Sequence, residues 1–256
     1  MSSQTVSERV IVLKKTKLGE TDLILSLLCD DGRLIQAVAK GARKPNNSFA
    51  ARLELTNICD VLLVVGKRLF IVKEAKIVKS FHSLRSDYLK SLAAMSVMEL
   101  ACATADTDIC SSNFYDLALE SLLEIDLSDS ELCIVYTLCC VLGFIKLLGI
   151  SPQLNECVYC GSAFRADSKC KRARIGIDAG GYVCEDCKGE CFTFILYSDS
   201  LQTMQKMLDG SFSAINEPSY RVGNILESIE FCRLWLETHQ SCRVKSLRAL
   251  IEWFGD

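Results

Sequence analysis

Residues 22–39 read DLILSLLCDDGRLIQAVA, and this stretch predicts the fold of the N-terminal part of the chain. Two short runs rich in Leu, Ile and Val, at 22–28 and 34–39, flank the turn sequence Asp31-Gly32. Apolar runs of this length that are joined through a glycine turn are typical of a β-hairpin. The stretch therefore predicts two antiparallel strands.

Three further runs extend the strand pattern in both directions, at 10–13, 58–65 and 68–78. Gly19, a long loop at 41–53 and Gly66 separate them. Five short strands in the first 80 or so residues are typical of a small closed barrel of the OB type, in which closure removes the exposed sheet edges. The first 80 residues therefore predict an OB-fold barrel.

The apolar period becomes helical after Leu84. Gly149 and Pro152 mark the end of one helix, as glycine and proline commonly do. The predicted helices lie at 84–102, 114–125, 130–148, 198–208, 221–238 and 244–253.

Two cysteine pairs, Cys157-Val-Tyr-Cys160 and Cys184-Glu-Asp-Cys187, interrupt the helical pattern. A C-x2-C hairpin directs two thiolates at one ion, and two hairpins fill the tetrahedral shell of a single Zn²⁺. Such a Zn²⁺ is structural, because no coordination position stays open for a substrate.

Alternative readings of these cysteines remain open. The chain has 15 cysteines, so the two pairs could also be ordinary thiols. Cys170 and Cys191 are either spare thiols or substitute ligands, and we favour spare thiols.

The predicted fold class is thus an α+β multidomain chain. An N-terminal five-stranded OB-fold β-barrel is followed by an α-helical domain with an inserted zinc-finger-like hairpin that carries the four cysteine ligands. The predicted domains are an OB-fold nucleic-acid-binding domain at 1–80, the first part of the helical domain at 81–153, the zinc-binding insert at 154–196 and the C-terminal part of the helical domain at 197–256.

Charge is distributed unevenly over the 256 residues, although the formal net charge is only −3. The first 80 residues contain 14 Lys and Arg against 8 Asp and Glu, and the other 176 contain 15 against 24. Because phosphate neutralisation by Lys and Arg provides most sequence-independent affinity for nucleic acid, the basic N-terminal part is where a polyanion would bind.

The loop at 39–53 carries four cations and no acidic residue, and it is also rich in Gly, Pro and Asn. Such a backbone can approach a partner closely, and each cation can bind a phosphate oxygen. A solvated turn that keeps a strand edge soluble is the open alternative. The candidate DNA-binding residues are Lys40, Arg43, Lys44 and Arg52, followed by Lys14, Lys15 and Lys17 on the first strand and its turn.

Residues 1–80 contain only two aromatic rings, Phe49 and Phe70. Base stacking in the barrel should therefore be minor, and binding should depend on charge and salt and not on sequence.

The sequence contains no phosphate loop and no dinucleotide-binding fingerprint. The two histidines, His82 and His239, lie in no recognisable catalytic or metal-binding motif, so each is expected to be structural or on the surface. We therefore expect no enzyme activity. The N-terminus lacks an apolar leader and no stretch is long enough to span a membrane, which favours a cytoplasmic protein that does not bind membranes.

Several short sequence words resemble the bacterial recombination mediator family RecO, and the resemblance covers nearly the whole chain. The AKGAR word with its following proline is the most distinctive. The words are GETD at 19–22, DGRL at 31–34, AKGAR at 39–43 with Pro45, RLE at 52–54, Leu84-Arg85, LGISPQL at 148–154, and Cys157-x2-Cys160-Gly161.

The resemblance implies an OB-fold, a helical domain and a zinc-finger-like insertion in a protein of DNA repair that responds to DNA damage. It implies binding to single- and double-stranded DNA, annealing of complementary strands and, with the partners RecR and RecF, loading of the recombinase onto DNA coated by single-stranded DNA-binding protein (SSB). A location at the bacterial nucleoid follows from the same resemblance.

The family also binds the acidic, hydrophobic C-terminal tail of SSB through its helical region. Here the candidate residues for that contact are Arg233, Arg243, Lys245 and Arg248.

Two alternatives remain open from the sequence. The chain could be a zinc-ribbon adaptor that binds only proteins, with the basic barrel serving solubility. The segment between the cysteine pairs, with Arg165, Lys169, Lys171, Arg172 and Arg174, either contacts DNA or is a solvated loop.

Overall fold

The computed structural model of the chain describes residues 4–45, 47–104, 111–165, 171–187, 189, 192–210 and 220–255. Contacts between residues divide the chain into two compact units, 1–128 and 129–256. Each unit has a buried apolar core of its own.

The first unit contains a closed five-stranded barrel, as the sequence predicts. Its strands are arranged in the order β1-β2-β3-β5-β4, and all neighbours are antiparallel except β3 and β5. The strands are β1 (Thr5–Leu18), β2 (Asp22–Cys29), β3 (Leu34–Ala39), β4 (Ile58–Val64) and β5 (Phe70–Lys79).

Strand β1 is much longer than the predicted run at 10–13. Its first half pairs with β4 and its second half pairs with β2, so β1 belongs to both sides of the barrel. The ends of β1 carry mostly polar and charged side chains, so no apolar run marks them in the sequence.

A short helix, α1 (Phe49–Arg52), lies in the predicted loop between β3 and β4. Phe49, Leu53 and Ala42 from this connection pack against the barrel core. Asn57 is buried and donates two hydrogen bonds from Nδ2, to the carbonyl oxygens of Ala51 (3.2 Å) and Arg52 (3.0 Å). The connection is therefore fixed on the barrel at both ends.

Three helices complete the first unit: α2 (Ser83–Ser86), α3 (Tyr88–Thr104) and α4 (Ser112–Leu127). Ile11 of β1 and Leu28 of β2 stand opposite each other on neighbouring strands and are fully buried. Neither side chain belongs to the apolar cluster inside the barrel. Helix α3 contacts both strands, so these two side chains form its apolar contact with the barrel. Lys90 is buried and donates to the Asp126 carbonyl oxygen at 2.9 Å.

The second unit combines four helices with a three-stranded antiparallel sheet. The helices confirm the predicted pattern. The sheet is not predicted, because its strands are only three to five residues long and two of them contain Arg or Gly. The elements are α5 (Cys133–Leu147), β6 (Arg172–Gly176), β7 (Gly181–Val183), β8 (Thr193–Tyr197), α6 (Ser198–Asp209), α7 (Val222–Gln240) and α8 (Lys245–Gly255).

We predict residues 81–153 as one part of a helical domain, but the boundary between the two units falls inside this segment, after residue 128. Helix α3 packs on the barrel, whereas α5 packs on α6 and α7. The four-part division of the sequence therefore stays a prediction. Among the described helices, none has the length and apolar character that a membrane span requires.

The turn between β2 and β3 fits closely against the chain that leads into α4. Gly32 has φ +87°, and a Cβ at this position would lie 2.1 Å from the Ser111 carbonyl oxygen. Gly19 also has a positive φ, +57°, but an added Cβ there would meet no atom within 4 Å.

We predict that Gly32→Ala destabilises the first unit far more than Gly19→Ala. Both variants place a side chain in the left-handed region, at a cost of about 1–2 kcal/mol, and only Gly32→Ala adds overpacking of about 1–3 kcal/mol. Hydrogen exchange of peptides from β2 and β3 measures the difference in opening free energy. Equal losses of protection in the two variants would contradict the close fit.

Candidate nucleic-acid interface and metal centre

Two basic segments are joined by hydrogen bonds at one end of the barrel. We call residues 19–22, the turn between β1 and β2, and residues 40–44, which follow β3, the turn–loop junction. Arg43 donates from its backbone N–H to the Thr21 carbonyl oxygen (2.8 Å). Its Nη1 donates to the carbonyl oxygens of Gly19 (3.1 Å) and Glu20 (3.0 Å). Arg43 therefore fastens the loop to the turn.

Asp22 makes a second connection in the turn–loop junction. The Gly41 N–H donates to Asp22 Oδ1 at 2.7 Å, and the Thr21 hydroxyl donates to the same oxygen at 2.9 Å. The pKa of Asp22 lies below its ordinary value, chiefly because of the Gly41 hydrogen bond, then that of Thr21, and then the charges of Lys40 and Lys44. A carboxylate thus holds the backbone of the basic loop.

Lys40 and Lys44 are exposed at this junction. Within the described residues, no hydrogen bond or ion pair engages either ammonium group, which leaves both available to phosphate. Arg43 Nη1 donates to two carbonyl oxygens and so positions the loop, and the contact of Arg43 with DNA stays a prediction.

A bulge in β1 decides where its three lysines lie. The register of β1 against β2 shifts between Val12 and Lys14. Beyond the shift, Lys15 and Lys17 stand opposite Leu25 and Leu23, which face the barrel interior, whereas Lys14 stands opposite Ser26 on the outer face. The three lysines therefore do not share one face.

Lys15 and Lys17 differ in availability although they share a face. The Lys15 ammonium donates to Glu54 Oε2 at 2.7 Å and is half-buried. Lys17 is exposed and lies two residues before Gly19 of the turn–loop junction. Lys17 therefore extends the basic surface of the junction, and Lys15 is neutralised.

Arg52 lies apart from the junction, in a groove of about 680 Å³ formed by β1, α1, β4 and β5. Its Nη1 donates to the Ala75 carbonyl oxygen at 3.2 Å. Lys73 and Lys76 line the same groove, and of its two carboxylates, Asp60 and Glu74, the first is already paired with Arg9, so the groove keeps a positive charge. Our sequence reasoning missed the two lysines because they lie inside a predicted strand.

Ion pairs neutralise other cations of the barrel. Arg9 pairs with Asp60 at 2.9 Å, and Arg33 pairs with both Asp31 (2.5 Å) and Glu8 (2.9 Å). The unpaired positive charge of the barrel is therefore smaller than the composition of the first 80 residues suggests. Lys17, Lys40 and Lys44 are part of that charge.

Both aromatic rings of the barrel, Phe49 and Phe70, pack against its core. They are partly buried there, and Phe49 also lines the groove beside Arg52. This placement agrees with the expectation that base stacking in the barrel is minor.

The four paired cysteines converge in the second unit. Their sulfur atoms all lie within 4.8 Å of one another, and Cys160 Sγ and Cys184 Sγ are 3.6 Å apart. Tetrahedral coordination with metal–sulfur bonds of about 2.3 Å places sulfurs about 3.8 Å apart, so the arrangement fits one ion. Among the described residues, this is the one cluster of potential metal ligands.

Backbone hydrogen bonds build the first cysteine hairpin and attach it to the sheet. Cys157 N–H donates to the Ser162 carbonyl oxygen and Gly161 N–H donates to the Cys157 carbonyl oxygen, both at 2.8 Å. Val158 N–H donates to the Tyr182 carbonyl oxygen of β7 at 2.9 Å. The short strand β7 thus connects the two cysteine pairs.

The surroundings favour a thiolate at Cys157 and at Cys160 but disfavour one at Cys187. Burial raises the pKa of Cys157, but the N–H groups of Cys184, Cys160 and Tyr159 outweigh it and lower the pKa to about 6. The pKa of Cys160 is lowered chiefly by the Ser162 hydroxyl. The pKa of Cys187 rises to about 12 beside Cys160 and Cys184, so a cation is needed to ionise all four sulfurs. Cys170 and Cys191 lie outside the described residues.

His239 has a structural role. Its Nε2 lies 3.1 Å from the Ile177 carbonyl oxygen, and its ring centroid lies 4.1 Å from that of Trp235. His82 precedes α2, where its carbonyl oxygen accepts hydrogen bonds from the N–H groups of Arg85 and Ser86, both at 3.1 Å.

Two of the four cations that we consider for an acidic peptide are ion-paired within their own helices. Arg233 pairs with Glu230 (2.7 Å) and Glu237 (2.8 Å), and Arg248 pairs with Glu252 (2.8 Å). The other two, Arg243 and Lys245, are exposed where α7 leads into α8.

Two family models match the chain. One is described as "Recombination protein O N terminal" and matches residues 1–81, and the other as "Recombination protein O C terminal" and matches residues 85–248.

Similar curated proteins have the name DNA repair protein RecO. One from Dehalococcoides mccartyi is 33% identical, over 70% of this chain and 69% of its own. One from Desulfitobacterium hafniense strain Y51 is 29% identical, over 93% of this chain and 85% of its own. Among solved structures, an aspartyl tRNA synthetase from Entamoeba histolytica aligns with 97% of this chain and 55% of its own at 12% identity, with a TM-score of 0.26. A likeness at that score carries no argument.

We predict that Cys184→Ser loses a bound metal ion and that Cys139→Ser, in α5 of the same unit, keeps it. A structural metal stabilises only the folded state, so its loss should lower the melting temperature of the second unit by about 10 °C or more. Elemental analysis measures the metal. Fluorescence measures melting of this unit alone, because both tryptophans, Trp235 and Trp253, lie in it. Equal metal content in the two variants would contradict the site.

Proposed function

Since the chain belongs to the recombination protein O (RecO) family of DNA repair proteins, we propose that it is a recombination mediator that binds single- and double-stranded DNA through its barrel. The observation that carries this proposal is the turn–loop junction, which holds Lys40 and Lys44 beside each other on a rigid, hydrogen-bonded backbone. Lys17 extends the same basic surface.

The proposed contacts are electrostatic. Exposed ammonium groups bind phosphate oxygens without reading bases, and the barrel offers little aromatic surface for stacking. Lys40, Lys44 and Lys17 make the direct contacts. Arg43 positions the loop. Lys15 and Arg52 contribute less because each already makes a hydrogen bond within the protein. Lys14 contributes less because it lies on the outer face of the barrel and not on the face of Lys17.

Annealing of complementary strands is the proposed activity on bound DNA. It needs no acid, base or nucleophile, because base pairing itself drives the reaction once the repulsion between two phosphate backbones is offset. A surface with a few available cations suits this task, since it neutralises phosphates without holding either strand rigidly. We therefore propose that the chain is not an enzyme.

The proposed metal is one structural Zn²⁺ held by Cys157, Cys160, Cys184 and Cys187. Four thiolates in tetrahedral arrangement suit zinc or an iron–sulfur centre. The four cysteine sulfur atoms lie within 4.8 Å of one another, and this spacing favours one small ion over a larger iron–sulfur cluster. The ion contributes no chemistry to the reaction and stabilises the second unit.

RecR, the SSB tail and RecF are the proposed protein partners, and loading of recombinase onto SSB-coated strands at the nucleoid is the proposed outcome. The family resemblance supports this assignment. For the acidic SSB tail, Arg243 and Lys245 are better candidates than Arg233 and Arg248, since the latter two are already paired with carboxylates.

We predict that elemental analysis of the purified protein finds about one zinc per chain and no stoichiometric iron. Protein purified without added metal serves for this measurement. Iron with inorganic sulfide in place of zinc would contradict the assignment.

We predict that affinity for single-stranded DNA falls steeply with salt, and that Lys40→Glu/Lys44→Glu reduces the log–log slope by about 1.4, because each neutralised phosphate contributes about 0.7 to the slope. Fluorescence anisotropy with a labelled oligothymidylate at several salt concentrations measures both quantities. Lys79→Glu is the control, because Lys79 is a barrel cation that lies over the Phe81 ring, 5.3 Å from its centroid.

Two results would contradict this proposal. An equal loss of affinity in Lys79→Glu would mean that overall charge, and not the turn–loop junction, decides binding. No binding at micromolar protein would instead favour an adaptor that binds only proteins.

A further inference from the structure

On the β6–β8 part of the three-stranded sheet one face is buried and the other is exposed, whereas Val183 of β7, which stands opposite Arg174, is buried. Ala173 and Ile175 of β6 and Leu196 of β8 are buried on the first face. Phe194 extends this face toward α7, with its ring centroid 5.8 Å from that of Phe231. The alternating residues of β6 and β8 must therefore lie on the other side.

The exposed face presents two arginines beside two large side chains. Cross-strand pairing places Arg172 opposite Tyr197 and Arg174 opposite Ile195. Tyr197 and Ile195 are 46% and 45% exposed, although both are apolar or aromatic side chains on a regular strand. Nothing in the fold of this unit explains why these two side chains should face solvent.

Arg172 and Tyr197 form a stacked pair on this face. The guanidinium carbon lies 4.5 Å from the Tyr197 ring centroid, and Arg172 Nη2 donates to the Tyr197 hydroxyl at 3.1 Å. The hydroxyl bond and the stacking hold both planes in place. A flat, fixed aromatic ring beside a guanidinium is the arrangement on which nucleotide bases stack.

Arg174 provides a second polar group that points to a ligand. Its Nε is buried and has no hydrogen-bond partner among the described residues. A buried donor without a partner is costly, and a shift of the side chain that exposes Nε would let a phosphate oxygen satisfy it.

A carboxylate at the edge of β8 is engaged by other groups. Glu227 Oε2 accepts hydrogen bonds from the Tyr197 N–H (2.9 Å) and the Ser200 hydroxyl (2.6 Å) at the edge of β8. Lys171, which precedes β6, is exposed and adds a further positive charge. The face is therefore cationic, which suits a polyanion with flat rings.

We infer that the exposed face of the β6–β8 sheet, defined by Arg172, Arg174, Ile195 and Tyr197, is a second binding surface for single-stranded nucleic acid. Bases stack on Tyr197 and against Ile195, and phosphates bind Arg172 and Arg174. This inference rests on the proposed DNA binding and adds the ring contacts that the barrel does not offer. Each compact unit then holds nucleic acid by a different kind of contact.

The test uses the full chain, a fluorescein-labelled oligothymidylate and anisotropy at several salt concentrations. Tyr197→Leu should weaken binding about tenfold because the base no longer stacks on a ring. Tyr197→Phe keeps the ring but loses the hydroxyl bond to Arg172, so its affinity should fall between those of Tyr197→Leu and the wild type. Arg172→Glu/Arg174→Glu should reduce the log–log salt slope by about 1.4. Arg248→Glu is the matched control in the same unit and should leave the slope unchanged.

The possible results separate this inference from the proposed function. If the wild type does not bind, both are wrong. If the wild type binds and Lys40→Glu/Lys44→Glu weakens binding, but the sheet variants behave like Arg248→Glu, only the second surface is wrong. If a labelled oligoglutamate peptide binds and depends on Arg172, Arg174 and Tyr197 while the oligothymidylate does not, the face is a site for acidic peptides and the inference is overturned.

Metal content and tryptophan-fluorescence melting show whether each variant keeps the fold of the second unit. Should the arginine variant fail to fold, photo-crosslinking of the wild type to an oligonucleotide with 5-iodouracil decides the question. An adduct on Tyr197, located by mass spectrometry, supports the second surface. Adducts confined to residues 1–128 overturn it.

Discussion

The hydrogen bonds of Arg43 and Asp22 are the interaction on which the basic end of the barrel depends. They join the turn between β1 and β2 to the loop after β3, so that two segments that are about 20 residues apart in sequence form one surface. Without them, the exposed lysines of the loop would repel one another and lie on a mobile chain. Arg43 and Asp22 bind the backbone and thereby fix the positions of Lys40 and Lys44, which make no such bonds themselves.

A different constraint maintains the second unit. Its sheet has strands of three to five residues, which is too little to be stable alone. The helices cover one face of the sheet. The cysteine hairpins hold the end of β7, where Val183 is followed directly by Cys184. A metal bound to the four sulfurs would thus stabilise the sheet. The sheet could then keep its shape although the face that the helices do not cover is exposed to solvent.

Much of this organisation can be predicted from the sequence. The closed barrel, the six long helices and the convergence of Cys157, Cys160, Cys184 and Cys187 follow from apolar periods and ligand spacing, and the structure confirms them. Apolar periods and ligand spacings are local patterns in the sequence, and they are sufficient to predict these features.

Side-chain roles that depend on distant partners could not be predicted. The bulge after Val12 exchanges the faces on which Lys14 and Lys15 lie, and a single extra residue leaves no signal in so basic a run. Glu54 neutralises Lys15 from 39 residues away, and the carbonyl oxygens that bind Arg43 are invisible in a sequence. The sheet that presents Arg172 and Tyr197 was missed because its strands are short and only β8, with the sequence TFILY, forms an apolar run.

The central claim is that the turn–loop junction gathers Lys17, Lys40 and Lys44 into one surface for polynucleotide phosphates. Acetylation of lysines with and without bound oligothymidylate, quantified for each residue by mass spectrometry, tests it most directly. The account predicts that DNA protects these three lysines while Lys79 and Lys245 stay as reactive as in free protein. Equal reactivity of Lys40 and Lys44 in free and bound protein would contradict it.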